Sequence, residues 1–564
     1  RLEVAERIDA RGKVLVELLP AEVERVVAEV VARAPESVAV SLLFSYLDDR
    51  HEQMLGDALR AALPGTPVTL SSEVAREFRE YPRTATTVIN AALRPIVGGY
   101  LERAAGAVAE MGVDAPFLVM QSNGGSVPAP RADADAHRLI LSGPAGGVTG
   151  LIDISARHAL DKTISLDMGG TSTDVCLVRD GVAPMTTAAW IADHELLAPS
   201  VDIHTIGSGG GSIAWIDPTG RLRVGPQSAK AVPGPACYGR GGTEPTLTDA
   251  HVVLGTLGSA RLASDLTLDR DAAERAVGKL GELIGRTPVE AAEAIIAISV
   301  AHMIRALRKV SVERGLDPRE FTLVPFGGAG PLHAGLLLRH LRLRGVLLPR
   351  RPGVFSAEGL LAAGLRIDDS QTVLTPYGQA DPAEVLGWYA GRARELTDRL
   401  EHDGVGRDAV TVTASVDCRY LGQGFELSVP LEDLTPEGLS RLPGAFGDLH
   451  EARYGHANRS EPVELVTLRI SALGTYADVV SEQVPAGTGE PDPAALLATR
   501  GVVMPGSGTA APTPVWDRAR LRAGDVLVGP AIVHQMDSTT LVLAGQRATV
   551  TPTGDIELTE EGAA

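Results

Sequence analysis

The chain's strongest chemical signal lies at residues 163–181. The run Asp167-Met168-Gly169-Gly170-Thr171-Ser172-Thr173-Asp174 sets an acidic residue at each end of a loop, with two glycines and three hydroxyls between. Apolar stretches at 163–168 and 175–178 predict flanking strands, and Asp180-Gly181 predicts a tight turn after the second. Glycine has no Cβ, so its backbone N–H can approach anionic oxygens closely. Thr171, Ser172 and Thr173 add hydroxyl donors, and together these suit a polyphosphate. A carboxylate at Asp167 would repel bare phosphate, so it makes sense there only as a holder of Mg²⁺ or its waters. The loop lacks the Gly-Lys-Ser/Thr ending of a P-loop, and a strand rather than a helix follows it, which excludes a dinucleotide-binding turn. An ordinary glycine hairpin is the plain alternative.

Three further stretches carry candidate chemistry. Gly207, Gly209, Gly210 and Gly211 predict a second phosphate nest. Asp202 and His204 precede it at strand spacing, which predicts a shared face and a role in metal binding or proton transfer; a structural hydrogen bond is the plainer reading. The Gly/Pro-rich segment 224–249 reads as a long loop carrying Lys230, Tyr238 and Arg240. Finally, an apolar strand at 321–326, the turn Gly327-Gly328-Ala329-Gly330 and a helix from Leu332 predict a seat for a nucleotide sugar or phosphate at a helix N-terminus.

The elements that must position these residues follow α/β order. Helical spacing at 21–34, 49–62 and 84–111 alternates with strand-like runs at 37–43, around Val68 and at 117–120. Two glycine-rich breaks, 121–126 and 141–150, read as turns. The clearest helix begins at Thr287-Pro288, with Glu290 completing a capping box. A small-residue helix is expected within 351–365. Beyond about residue 376 an amphipathic helix (381–402) gives way to strands, including 410–417 and 463–471. The expected domains are 1–150, 151–375 and 376–564, the last a strand-rich α+β domain.

Composition narrows the function. A formal charge of −19 argues against nucleic acid or an anionic membrane as partner. No apolar run reaches the ~20 residues of a membrane span. Cys176, Cys237 and Cys418 are isolated, which supports neither a disulfide framework nor a cysteine zinc site and predicts buried thiols in a reducing, cytoplasmic setting.

In combination, eight stretches resemble the hydantoinase A/5-oxoprolinase family, which includes ATP-dependent ketone carboxylase subunits. They are 141–148, 167–174, 205–214, 233–242, 245–249, 327–333, 417–423 and 453–455. The resemblance implies an α/β, actin/sugar-kinase/Hsp70-like ATPase core of two related domains, with ATP and Mg²⁺ as cofactors. In that scheme 167–174 is the second phosphate loop and 327–330 the adenosine loop, while 142–147 and 356–364 lie near connecting helices. The family's first phosphate loop has no match in 1–150, and Arg1 is not preceded by Met, so residues are expected to be missing upstream.

The family chemistry implies phosphorylation of a carbonyl, lactam or enolate oxygen. Asp167 is assigned to Mg²⁺, Gly169–Thr173 to phosphate, Asp174 to the metal or to orienting the loop, and Asp202 and His204 to proton handling on the substrate side. A hydantoinase B-like partner chain in a hetero-oligomer is expected. Three functions are carried forward: the ATP-dependent subunit of a cyclic amide hydrolase, that of an acetone/acetophenone-type carboxylase, and a nucleotide-binding scaffold without turnover.

Overall fold

The computed structural model describes all residues except 192, 259–266, 477–481 and 563–564. The chain divides into two compact units. One comprises Arg1–Ser142, Met185–Val201 and Ala363–Ala477; the other comprises Gly143–Pro184, Asp202–Ala362 and Asp478–Ala564.

The second unit holds the candidate site. Among the described residues its nine-stranded sheet is built around Lys162–Met168, which runs parallel to Thr322–Phe326; that strand in turn runs parallel to Gly345–Leu348. A strand enclosed on both faces must be apolar or self-satisfied throughout. Ile164, Leu166 and Met168 are accordingly buried, and so are Thr163 and Ser165. The Thr163 hydroxyl pairs with that of Ser155, and Ser165 Oγ accepts from the Cys176 amide at 2.9 Å. On the far side of the chain's loop lie Thr173–Val175 and Leu177–Arg179, both antiparallel to Lys162–Met168, and then the edge strand His204–Ile206. Asp180 and Gly181 both take positive φ, which makes the expected tight turn.

Helices cover this sheet. Pro288–Val310 starts at the predicted capping box: Thr287 Oγ1 accepts from the Glu290 amide, and the Glu290 carboxylate accepts from the Thr287 amide at 2.8 Å. Its buried face carries Ile295, Ile296, Val300 and Met303, each worth about 1.5–3 kcal/mol on burial. The stretch 141–150, expected as a turn, is instead the first part of the helix Ser142–Arg157. Its glycines serve close packing. A Cβ on Gly147 would fall 2.8 Å from the Phe326 ring, and one on Gly359 of the facing helix Phe355–Ala362 would fall 1.9 Å from the Gly146 carbonyl.

The first unit contains a six-stranded sheet in which Val463–Gly474 lies between Leu365–Pro376 and Val410–Tyr420. One face packs on the helix Pro382–His402 through Val385, Tyr389, Leu396 and Leu400. The opposite face buries an ion network in which Arg469 is held by Glu77 at 2.7 and 2.8 Å and by Asp417 at 2.6 Å.

The segment 376–564, expected as one domain, is divided between the units. Its first part supplies strands to the six-stranded sheet, whereas Val526–Val528, Gln546–Val550 and Ile556–Glu560 extend the nine-stranded one. Strand texture marked the change in the sequence, but which sheet each strand joins is set by long-range pairing. Among the described residues no single helix is long and apolar enough to cross a membrane.

Candidate nucleotide site

The loop after Lys162–Met168 ends sooner than the sequence suggests, because Thr173 and Asp174 already lie in the next strand. Asp167 and Asp174 are direct cross-strand partners, and Thr205 on the edge strand is in turn opposite Asp174. Paired residues point to one face of a sheet, so the three side chains form a row. Thr205 donates to Asp174 Oδ1 at 2.5 Å, and Ser356 donates to Asp167 Oδ2 at 3.3 Å. Burial first, and the neighbouring Asp174 charge second, push the Asp167 carboxyl up to about 6. Burial also raises Asp174, against the opposing hydrogen bond from Thr205. Burial thus disfavours the charge on both carboxylates, and a cation between them would stabilise it.

Between them, no described residue accepts a hydrogen bond from the amides of Gly170, Thr171 or Ser172. Gly169, Gly170 and Thr171 are exposed, and a Cβ on either glycine would meet nothing within 4 Å. Three adjacent amides without a described acceptor, on an exposed loop, fit a phosphate group. A pair of carboxylates fits Mg²⁺, which binds through one or two of them and keeps several waters. Among the described residues no cluster of three or more His, Cys, Asp or Glu offers a fuller metal cage.

The second glycine run does a different job from the one expected. Gly210 donates to the Gly169 carbonyl at 3.0 Å, Gly211 to the Gly170 carbonyl at 2.7 Å, and Gly209 to Ser212 Oγ at 2.8 Å. Their amides are therefore engaged, and Gly209 and Gly210 buttress the 169–172 loop from behind. Contact is backbone on backbone: a Cβ on Gly209 would fall 2.5 Å from Gly170 C and Thr171 N. Gly207 packs on Pro226. Thr173, expected to face phosphate, is buried, and its hydroxyl donates to the Ser208 carbonyl. Thr248 completes the support by donating to the Gly210 carbonyl at 2.8 Å.

The turn 327–330 is likewise split between support and open donors. Gly327, at φ +75°, donates to the Pro352 carbonyl, and Ala329 donates to the Met168 carbonyl at 2.9 Å. A side chain at 327 would collide with Met168 O at 2.5 Å, so this position requires glycine. The amides of Gly328 and Gly330 have no described acceptor; Gly328 is exposed, whereas Gly330 is buried as the first residue of the helix Gly330–Leu341. Beneath the turn, His333 Nδ1 lies 3.0 Å from the Ala329 carbonyl and its Nε2 lies 3.2 Å from Nε2 of His251. Burial depresses both imidazoles, His333 to about 4, which keeps the pair neutral.

Asp202 and His204 do not join this group. Asp202 precedes the edge strand and is paired with Arg314 at 2.8 Å. His204 is one residue from Thr205 along that strand, so strand alternation turns it to the face away from Asp174. Thr205, Thr248 and Ser356 were missed as supporting residues, because a lone hydroxyl carries no spacing signal.

The chain matches the family profile described as "Hydantoinase/oxoprolinase" over residues 83–369. The corresponding N-terminal-region and C-terminal-domain profiles match 1–63 and 383–553. The chain belongs to the hydantoinase/oxoprolinase family. Within it, the chain is 34% identical to caprolactamase subunit alpha of Pseudomonas jessenii, over 93% of this chain and 76% of that protein. It is 30% identical to the acetophenone carboxylase gamma subunit of Aromatoleum aromaticum, over 97% of this chain and 77% of that one. The crystal structure of ATP-dependent caprolactamase from Pseudomonas jessenii superposes with a TM-score of 0.88 at 31% identity, covering 98% of this chain and 81% of that one. The mixed α/β architecture is thus shared within the family.

Proposed function

We propose that this hydantoinase/oxoprolinase family member is the ATP-using subunit of a cyclic amide hydrolase. The observation that carries the reading is the set of amides at Gly170, Thr171 and Ser172, without an acceptor among the described residues, between the cross-strand carboxylates Asp167 and Asp174. The likeness to a protein named as a caprolactamase subunit favours a lactam-type substrate. We read the nine-stranded sheet as the second domain of an actin-like ATPase core, with 327–330 at the nucleoside end.

Ring-opening of an unstrained lactam is eased and driven forward when its carbonyl is made a better electrophile. Transfer of the ATP γ-phosphoryl to the carbonyl oxygen does this: the bond to the β-phosphate oxygen breaks, and ADP leaves as an O–P bond forms on the substrate. Such transfer relies on positioning and on neutralising charge. Here Gly170, Thr171 and Ser172 would hold the phosphate oxygens, and the buttress of Gly209–Gly211 keeps those donors pre-aligned. Asp167, directly or through water, is the residue for Mg²⁺, which would neutralise charge on the phosphates. Asp174, tied to Thr205, orients the loop's exit. A partner chain of hydantoinase B type completes the proposal, consistent with relatives that are named as subunits.

A ketone carboxylase subunit is the second reading, favoured by the 30% identity to the acetophenone carboxylase gamma subunit. Steady-state ATP hydrolysis decides between them when measured with partner chain, lactam or ketone, and bicarbonate. Lactam-stimulated turnover independent of bicarbonate supports the hydrolase, and bicarbonate-dependent turnover supports the carboxylase. Background hydrolysis under every condition leaves a nucleotide-binding scaffold.

A further inference from the structure

The turn 327–330 is tied by a chain of side chains to the helix Leu247–Leu254. That helix starts at a capping box, where the Asp249 carboxylate accepts from the amides of Cys237 at 2.7 Å and Thr246 at 2.9 Å. Thr248 and His251 lie one turn apart on it and so share a face. Thr248 supports Gly210 behind the 169–172 loop. His251 instead meets His333: their Nε2 atoms are 3.2 Å apart, and His333 Nδ1 lies 3.0 Å from the Ala329 carbonyl. At its other end His251 Nδ1 lies 2.8 Å from Thr256 Oγ1. All three side chains are almost wholly buried.

These contacts admit one arrangement of protons. A neutral imidazole has one donor and one acceptor nitrogen, and its partners set which is which. Among the described residues no acid acts on either ring, and burial keeps both neutral. The Ala329 carbonyl only accepts, so the His333 proton sits on Nδ1 and its Nε2 is an acceptor. His251 then donates from Nε2, which leaves its Nδ1 to accept from the Thr256 hydroxyl. In the opposite setting Thr256 donates to the His251 carbonyl at 2.9 Å. That would drive the His333 proton onto Nε2 and set a nitrogen lone pair against the Ala329 oxygen. The His251 carbonyl does not need Thr256, since the Leu257 amide reaches it at 3.2 Å.

We propose that Thr256, His251 and His333 form a directed hydrogen-bond relay and that His333, protonated on Nδ1, is a positioning residue holding the turn 327–330 in its nucleotide-binding shape, which rests on reading that turn as the nucleoside end of the site. The turn needs such a hold. Glycine gives it wide conformational freedom, and ordering it only on binding would cost affinity. Ala329 precedes the helix Gly330–Leu341 without a capping side chain of its own. Its amide is fixed on the Met168 carbonyl at 2.9 Å, and the relay fixes its carbonyl. Peptide units are planar, so both units flanking Ala329 are set. Gly327 is tied to the Pro352 carbonyl at 2.8 Å, so the exposed Gly328 amide is held from both sides. Because Thr248 and His251 stand on one helix, the same strut fixes the spacing between this turn and the 169–172 loop. The rival reading is a satisfied core contact that gives stability alone.

Calorimetric titration of the full chain with Mg·ATP and with Mg·tripolyphosphate, which lacks the nucleoside, separates the two. His333→Asn keeps a donor in place of Nδ1, whereas His333→Gln keeps one in place of Nε2 and leaves the Ala329 carbonyl without it. The Gln variant should bind Mg·ATP about three- to tenfold more weakly than wild type, the worth of one hydrogen bond, and the Asn variant within about twofold. Both should bind Mg·tripolyphosphate as wild type does. Nitrogen NMR of histidine-labelled wild type should show the ring whose signals vanish in His333→Asn protonated on Nδ1. If His333→Gln does not fold, the NMR signature and the Asn variant decide. A proton on Nε2 overturns the proposal. So do equal Mg·ATP affinities in the two variants, and an Asn variant that does not fold or binds no better than Gln. Loss of Mg·tripolyphosphate in step with Mg·ATP overturns it too, as general damage to the site. Wild type that binds Mg·tripolyphosphate as tightly as Mg·ATP overturns the nucleoside-end reading, and with it the proposal, whatever the NMR shows. Binding of neither overturns the reading of 169–172 as well.

Discussion

Replacing Asp167 by Asn should stabilise the metal-free protein while removing the proposed ion site. Folding raises this carboxyl from 3.8 to about 6, mainly because it is buried and secondarily because Asp174 faces it. The gap sets a ceiling of ~3 kcal/mol on the strain of keeping the group charged. The side chain is only partly enclosed, and solvent screening brings the expected effect to ~1–2 kcal/mol. An acid raised on folding favours the folded state in its protonated form. That contribution is complete below 3.8 and is lost as pH rises through about 6. At pH 8 the wild type therefore carries an unfavourable charge that Asn never acquires. Thermal melts in a chelator from pH 4 to 8 should show Asp167→Asn gaining a few degrees in Tm at the alkaline end and almost nothing at the acid end. Saturating Mg·ATP should reverse the order, since a ligand at about a hundred times Kd adds ~2.7 kcal/mol to the form that binds it. A variant no more stable than wild type at pH 8, or one whose gain is the same at every pH, would refute the reasoning.

Other perturbations test the supports. Gly209→Ala should weaken Mg·ATP about tenfold or more, by pushing the proposed phosphate loop through ~1–3 kcal/mol of overpacking. Calorimetry reads the loss directly. His333→Ala should cost ~2–4 kcal/mol in urea unfolding by orphaning His251 and leaving a cavity. Because the His333 pKa is depressed to about 4, the stability it contributes is present above 6.5 and lost as pH falls through about 4, so the variant's deficit should narrow in acid. Asp202→Ala breaks a partly exposed pair with Arg314 worth ~0–1 kcal/mol. It should leave substrate-stimulated ATP turnover within about twofold of wild type, and a larger loss would restore Asp202 to the chemistry.

How much of this was legible in the sequence depended on range. Elements fixed by local rules stood out: the Thr287 capping box, the Asp180-Gly181 turn and the strand–glycine–helix passage at 322–341 all lie where spacing put them. Glycine was readable as a need for space but not for its purpose. At 169–170 it leaves amides open, at 209–211 it lets one backbone lie on another, and at 146, 147 and 359 it lets two helices cross. The sequence looks alike in each case, and only the neighbour differs. The pairing of Asp202 with Arg314 was invisible because the partner lies over a hundred residues away.

The order of strands in the nine-stranded sheet has a consequence for how the protein is made. Gly345–Leu348 is covered on one side by Thr322–Phe326 but on the other only by Ile556–Glu560. Val346, Leu347 and Leu348 are almost wholly buried in the finished sheet. At a synthesis rate of roughly 5–20 residues per second, the ribosome needs on the order of 10–40 s to deliver the missing neighbour. Throughout that time an apolar strand edge would stay unpaired and open to any other nascent chain. Chaperone occupancy during translation, and aggregation of chains stopped between these two strands, are therefore expected costs of a sheet whose early strands are sealed by its last one.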